Sequence, residues 1–133
     1  MLLEEMEKVA AFRSSNGECG WTREQTIDVI AILRKQSLAI LGGELWLVLD
    51  GSRSWIGLIP QRVGPDAVYT WETKRYPNEH WEAFVNRCVA DTTAAVERWP
   101  EPDDLPPNLA GRILYNLTWV NEEEYDRLGS RAV

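Results

Sequence analysis

Three carboxylates, Glu44, Asp50 and Glu72, fall on or beside segments that read as β-strands. Acids held on neighbouring strands can pass protons to and from a substrate, one as acid and one as base. An acid at a strand edge also serves as a solvated group or an arginine partner, and both readings stand. His80 is the sole histidine, placed in the first turn of a long helical pattern on its solvent side. A Ser-His-Asp site would have to use it, yet no Gly-x-Ser-x-Gly elbow accompanies it. Cys19 and Cys88 are far apart and in no metal-ligand spacing, which with one histidine excludes the usual zinc sets. Gly42-Gly43 is not followed by the Lys-Ser/Thr of a phosphate loop. A bulge or sharp bend between two strand segments, needing residues without Cβ, accounts for it. No catalytic, cofactor-binding or metal-binding set is predicted.

The net charge is −7. A field of that sign repels phosphate backbones and anionic lipid, so neither nucleic acid nor a membrane is an expected partner. It attracts a basic protein and speeds their encounter, although acidity also serves solubility alone. Two acidic clusters stand out: Glu101, Asp103 and Asp104 in a Pro-rich stretch, and Glu122, Glu123, Glu124 and Asp126 further on. They fit a solvated loop and a helix start that complements its dipole. They equally fit a surface that mimics a polyanion and plugs a basic cleft.

Apolar residues make up 44% of 133 positions, enough for one domain, residues 1–133, with one core and no disulfide or metal support. Seven tryptophans bring large apolar area, each with an N–H that needs a partner when buried. Two cysteines form no disulfide framework and suit a reducing cytoplasm. The start, Met1-Leu2-Leu3-Glu4-Glu5, has no signal-peptide pattern. No run approaches the roughly 18 apolar residues of a membrane span.

The elements follow from periodicity. Leu3, Met6, Val9, Ala10 and Phe12 predict a short helix over 3–12. Thr22 with Gln25 is a capping-box pattern opening a second helix through Ile27, Ile30, Ala31 and Leu33 to Arg34-Lys35. Leu38 to Leu41, then Leu45 to Leu49, reads as a central strand apolar on both faces. Asp50-Gly51-Ser52 turns it into a hairpin partner over 54–59, and 67–73 alternates as a third strand. Asn78 is the expected cap of a helix whose stripe is Trp81, Phe84, Val85, Cys88, Thr92, Ala95, Val96 and Trp99. Residues 100–107 form an acidic, Pro-rich linker. Ile113, Tyr115, Leu117 and Trp119 alternate as a final half-buried strand. Asn121 with Glu124 caps a last helix through Tyr125 and Leu128. The class is α+β, a mostly antiparallel sheet of four to five strands with helices packed on it, in the order α-α-β-β-β-α-β-α.

Residues 21–99 carry a further pattern. Gly42-Gly43-Glu44-Leu45-Trp46, then Tyr69-Thr70-Trp71-Glu72, then a helix with Trp81, Phe84, Val85 and Cys88 at core spacing resemble small immunity proteins encoded beside bacterial polymorphic toxins and contact-dependent inhibition systems. The resemblance implies a cytoplasmic, non-catalytic antidote, without cofactor, that binds one cognate toxin domain and occludes its active site. It also implies that the matched residues are mostly scaffold; exposed acids with neighbouring aromatics, namely Glu72, Asp103, Asp104, Glu122 and Glu123, are expected to make the contact. A general interaction module or subunit and a small carboxylate enzyme using Glu44, Asp50 or Glu72 remain as alternatives. Oligomeric state is not legible.

Overall fold

The computed structural model describes residues 2–14, 17–49, 52–55, 70–98 and 113–131. Helix α1 (Leu2–Val9) precedes strands β1 (Phe12–Arg13) and β2 (Cys19–Gly20). Then come α2 (Arg23–Lys35), β3 (Ala39–Leu49), β4 (Ser52–Trp55), β5 (Thr70–Glu72), α3 (Trp81–Arg98), β6 (Ile113–Val120) and α4 (Glu122–Arg131). The fold is α+β, and every strand pairing among the described residues is antiparallel.

β3 organises the sheet. β6 runs along one of its edges, from Ala39 opposite Val120 to Leu47 opposite Ile113. β4 and β5 share the other edge end to end, β4 on Trp46–Leu49 and β5 on Gly42–Glu44. The expected hairpin forms, but its second strand starts at Ser52, which pairs with Leu49 and so belongs to the strand and not to the turn. The two-strand sheet reaches the free side of β6 through a backbone bridge: Trp21 N–H donates to Tyr115 O (2.9 Å) and Tyr115 N–H to Trp21 O (2.7 Å).

Both faces of β3 are covered, as its unbroken apolar run predicts. Leu45, opposite Tyr115, joins the cluster formed with Phe84, Val85 and Cys88 of α3 and Val29, Ile30 and Leu33 of α2. Trp71, opposite Gly43, turns to the same side, where its indole N–H donates to the Thr92 hydroxyl of α3 at 3.1 Å. Trp46 points the other way, fully buried, and the ring of Phe12 meets it edge-on at 6.2 Å. That second covering corrects the half-buried reading of the last strand, because Leu114 and Asn116 on the Trp46 side are buried too.

Gly42 and Gly43 do not divide two strands; β3 is continuous through them, with its register shift between Ile40 and Gly42. The missing Cβ is needed all the same. At Gly42 it would run into the carbonyl oxygen of Trp71, and at Gly43 into that of Asn116 and, at 2.6 Å, the Trp71 ring.

Tertiary packing overrides local pattern in several places. α1 stops at Val9, which is 53% exposed, because Phe12 leaves the helical path to cover Trp46. Its terminal carbonyls find side-chain donors: Trp21 Nε1–H reaches Met6 O at 2.9 Å and Gln25 Nε2–H reaches Val9 O at 2.7 Å. On α2, Thr26, Val29, Ile30 and Leu33 are buried, whereas the expected Ile27 and Ala31 are exposed. Leu128 of α4 is also exposed, and Tyr125 alone of the expected pair packs on the core cluster. The expected strand residues 56–59 and 67–69, Trp99 and the 100–107 linker lie outside the described residues.

Both capping boxes form, Thr22 with Gln25 and Asn121 with Glu124. At its other end α2 closes in a Schellman motif, Leu38 N–H to Leu33 O and Ser37 N–H to Arg34 O, both 3.0 Å. Ser37 therefore sits at φ 58°, a left-handed backbone that glycine adopts without Cβ strain. Ser37→Gly is expected to raise the unfolding free energy by about 0.5–1 kcal/mol, measured by urea denaturation. A loss of stability would show that the serine side chain contributes more than its strained backbone costs.

Candidate protein-binding surface

Between β5 and α3 the chain from Thr73 to His80 crosses the surface with its backbone pinned at nearly every step. Thr73 N–H donates to Leu41 O, extending the sheet at 2.9 Å, while its hydroxyl reaches Asp91 on α3 at 2.7 Å. Tyr76-Pro77-Asn78-Glu79 then makes a tight turn, closed by Glu79 N–H to Tyr76 O at 3.1 Å. Proline at the second position and Asn78 at φ 62° at the third are what a type II turn demands. Asn78 is thus a turn residue and not the helix cap. α3 begins at Trp81, with the exposed His80 before it accepting from Phe84 N–H.

Two arginines lock this turn. Arg87, two turns into α3, grips the Glu79 carboxylate with two parallel bonds, Nε to Oε2 at 2.7 Å and Nη2 to Oε1 at 2.8 Å. It also donates to Lys74 O. The fork geometry makes this the stronger kind of charged hydrogen bond. The guanidinium holds the Glu79 carboxyl at about 2, well below the usual 4.5, with help from the Tyr76 amide that donates to it. Because the folded-state value is depressed, the pair stabilises the fold fully above pH ~4.5, and that contribution is lost as pH falls through about 2. Glu79→Gln is expected to flatten the acid limb of a stability–pH curve between those values. A curve that kept its slope there would place the acid sensitivity elsewhere.

Arg75 joins a third segment. Its Nη2 meets Glu122 Oε2 at 2.9 Å and its Nη1 lies 3.7 Å from Asp126, both on α4. Its Nε donates to Glu79 O, its backbone N–H to the Tyr125 hydroxyl, and its guanidinium lies over the Trp81 ring. Beneath it Trp81, Phe84 and Tyr125 form an aromatic cluster with centroids 5.3–6.0 Å apart. The Trp81 indole N–H is used by Ser37 O at 2.7 Å.

On this support stands Tyr76, 62% exposed, with the Arg87 guanidinium 3.8 Å from its ring centroid. A stacked, fixed aromatic with an open face, rimmed by charge, has the make-up of an interface anchor. Of the residues predicted to make contact, Glu122 belongs to this surface, paired with Arg75, and Glu123 is exposed beside it on the first turn of α4. Glu72 is exposed at the end of β5, before the pinned segment, 3.8 Å from Lys74. Asp103 and Asp104 lie outside the described residues. Tyr76, Arg75, Glu79 and Arg87 were not predicted. The Tyr-Pro-Asn-Glu turn pattern was the available signal.

The carboxylates first considered for proton transfer are placed differently. Glu44 is half-buried on the Trp46 side of the sheet and accepts from the Trp46 indole N–H at 2.8 Å. Glu72 shares that side but stands opposite Gly42, so the two acids are diagonal neighbours on separate strands. Asp50 lies outside the described residues. Cys88 is fully buried against the core, which pushes its thiol up to about 12. Among the described residues no group of His, Cys, Asp and Glu is arranged to hold a metal ion, and no helix is long and apolar enough to cross a membrane. Compared with known proteins, the chain matches no family model, no curated protein and no solved structure.

Proposed function

We propose that this chain acts by binding another protein, as an immunity protein that occludes the active site of a basic toxin domain. The observation that carries the reading is Tyr76, held 62% exposed on a turn locked by Arg87 and Glu79. Ordering such a ring costs entropy that an interface must otherwise supply, and here the fold has already met that cost. Exposed acids stand on the neighbouring helices, Glu82 on α3 and Glu122, Glu123 and Asp126 on α4, on a chain of net charge −7. A basic partner is drawn to such a face and oriented on it. The resemblance to immunity proteins supplies the kind of partner, a toxin whose cleft is built for a polyanion.

The test is co-expression with the protein encoded by the adjacent gene. If the reading is right, that protein arrests growth when expressed alone, growth returns when both are made, and the two co-purify one to one. Their affinity should also fall steeply with added salt. If the neighbour is harmless, or if both are made without a complex forming, the immunity reading fails. A stable complex with a non-toxic neighbour would instead identify a subunit or adaptor.

A further inference from the structure

We infer that the groove between α1 and α2 is a second recognition surface, which takes an apolar side chain carried on a cationic segment of a partner protein. The groove encloses about 380 Å³. Met6 and Val29, both 1% exposed, form its floor, and the half-buried Ile32 and the 53% exposed Val9 form its walls. An apolar side chain entering it would cover Val9, an exposed residue on an otherwise amphipathic helix.

Charge selects the occupant. The charged residues lining the groove are Glu5 and Asp28, both acidic and both exposed. A lysine or arginine next to the entering side chain would lay its aliphatic stem on Val9 and bring its cation to these carboxylates. An acidic segment would meet repulsion from the same two groups. The groove between α2 and α3 offers no such choice, because Arg34 and Lys35 share its rim with Glu97.

The α1–α2 groove is also preformed. The Trp21 indole bond to Met6 O and the Gln25 amide bond to Val9 O tie the end of α1 to the segment around α2. Gln25 is used twice, since its Oε1 accepts from Thr22 N–H at 3.0 Å. The occupant therefore meets a fixed apolar trough with acids on its rim. This extends the reading of the chain as a binder of basic proteins without requiring that the partner be a toxin.

The experiment is a methyl-resolved NMR titration of the intact protein with three synthetic helical peptides: one of leucine and lysine, one of leucine and glutamate, and one of serine and lysine. The leucine–lysine peptide should shift the methyl signals of Met6, Val9, Val29 and Ile32, and the other two should bind at least about tenfold more weakly. Asp28→Lys and Val9→Ser, both at exposed positions, should each weaken the leucine–lysine peptide by about tenfold while leaving the spectrum of the free protein folded. Equal binding of the glutamate peptide overturns the charge selection. Equal binding of the serine peptide overturns the apolar anchor, and shifts confined to other methyls overturn the site. No toxin enters the assay, so failure here leaves the immunity reading standing, and failure of co-expression leaves this one standing.

Discussion

Gly42→Ala is expected to lower the unfolding free energy by about 3 kcal/mol, at the upper end of what overpacking costs. The added carbon would meet the Trp71 carbonyl oxygen, with Glu72 Cα at 3.1 Å and Trp71 C at 3.2 Å. All three are backbone atoms of β5, so no side-chain rotation relieves the clash. β5 must draw away from β3, which breaks the pairs Gly42–Glu72, Gly43–Trp71 and Glu44–Thr70. Trp71 would then be pulled from Thr92, and the pinned segment that starts at Thr73 would lose its anchorage on Leu41. Gly17→Ala is the control. Gly17 has φ 87°, yet a Cβ there meets nothing within 4 Å, so only the backbone cost of about 1 kcal/mol applies. Denaturation followed by tryptophan fluorescence compares the two. Equal losses would mean that β5 accommodates the methyl group and that close approach is not why residue 42 is glycine.

Tyr76→Ala is expected to weaken the complex with the partner identified by co-expression by about 2–4 kcal/mol, the range of an interface hot spot. The free protein should lose no more than about 1 kcal/mol of stability, the worth of an exposed cation–π contact with Arg87, because Tyr76 is 62% exposed. Arg87→Ala tests the support and not the contact. It removes the fork on Glu79 and the cation beneath the ring, leaving the tyrosine to be ordered on binding. That change should cost about tenfold in affinity. Calorimetric titration of each variant checks both figures. If Tyr76→Ala bound as tightly as the parent while Glu123→Lys did not, contact would centre on the acids of α4 and the aromatic anchor would be discarded.

The sequence made some of this legible and concealed the rest, for reasons that particular residues show. Both capping boxes were readable because four consecutive residues contain the whole interaction, as in Thr22 with Gln25 and Asn121 with Glu124. The α3 stripe and the two-faced burial of β3 were readable because long periodic runs average out local exceptions. The β1–β2 pair was not, since strands of two residues each carry no period. The buried side of α2 was half legible: Ile30 and Leu33 are covered as expected, but Ile27 and Ala31 sit one residue, about 100°, around the helix from Thr26 and Ile30 and are exposed. Only the position of α3 decides which of them is covered. Pro77-Asn78 suits a helix start and a type II turn alike, and the hydrogen bond from Glu79 to Tyr76 decides between them. The candidate surface was hardest to read. Arg75 and Glu122 are 47 residues apart, and nothing local announces that they meet. The acids were conspicuous by number, whereas Tyr76 was one aromatic among many.

The pairing of β3 with β6 has a consequence for how the molecule comes into being. Ala39 meets Val120 and Leu47 meets Ile113, so the central strand waits for one of its flanks until residues more than 60 positions further on have been made. Through that interval α3 already exists with an apolar stripe and an incomplete floor to lie on. Contacts so distant along the chain close slowly, and chains caught before closure expose surface that aggregates. Synthesis and function are thereby separated in time. Tyr76 is locked early by its neighbours on α3, but Arg75 finds Glu122 only after β6 has joined the sheet. The candidate face is complete only once α4 has been made, 47 residues after the arginine it pairs with.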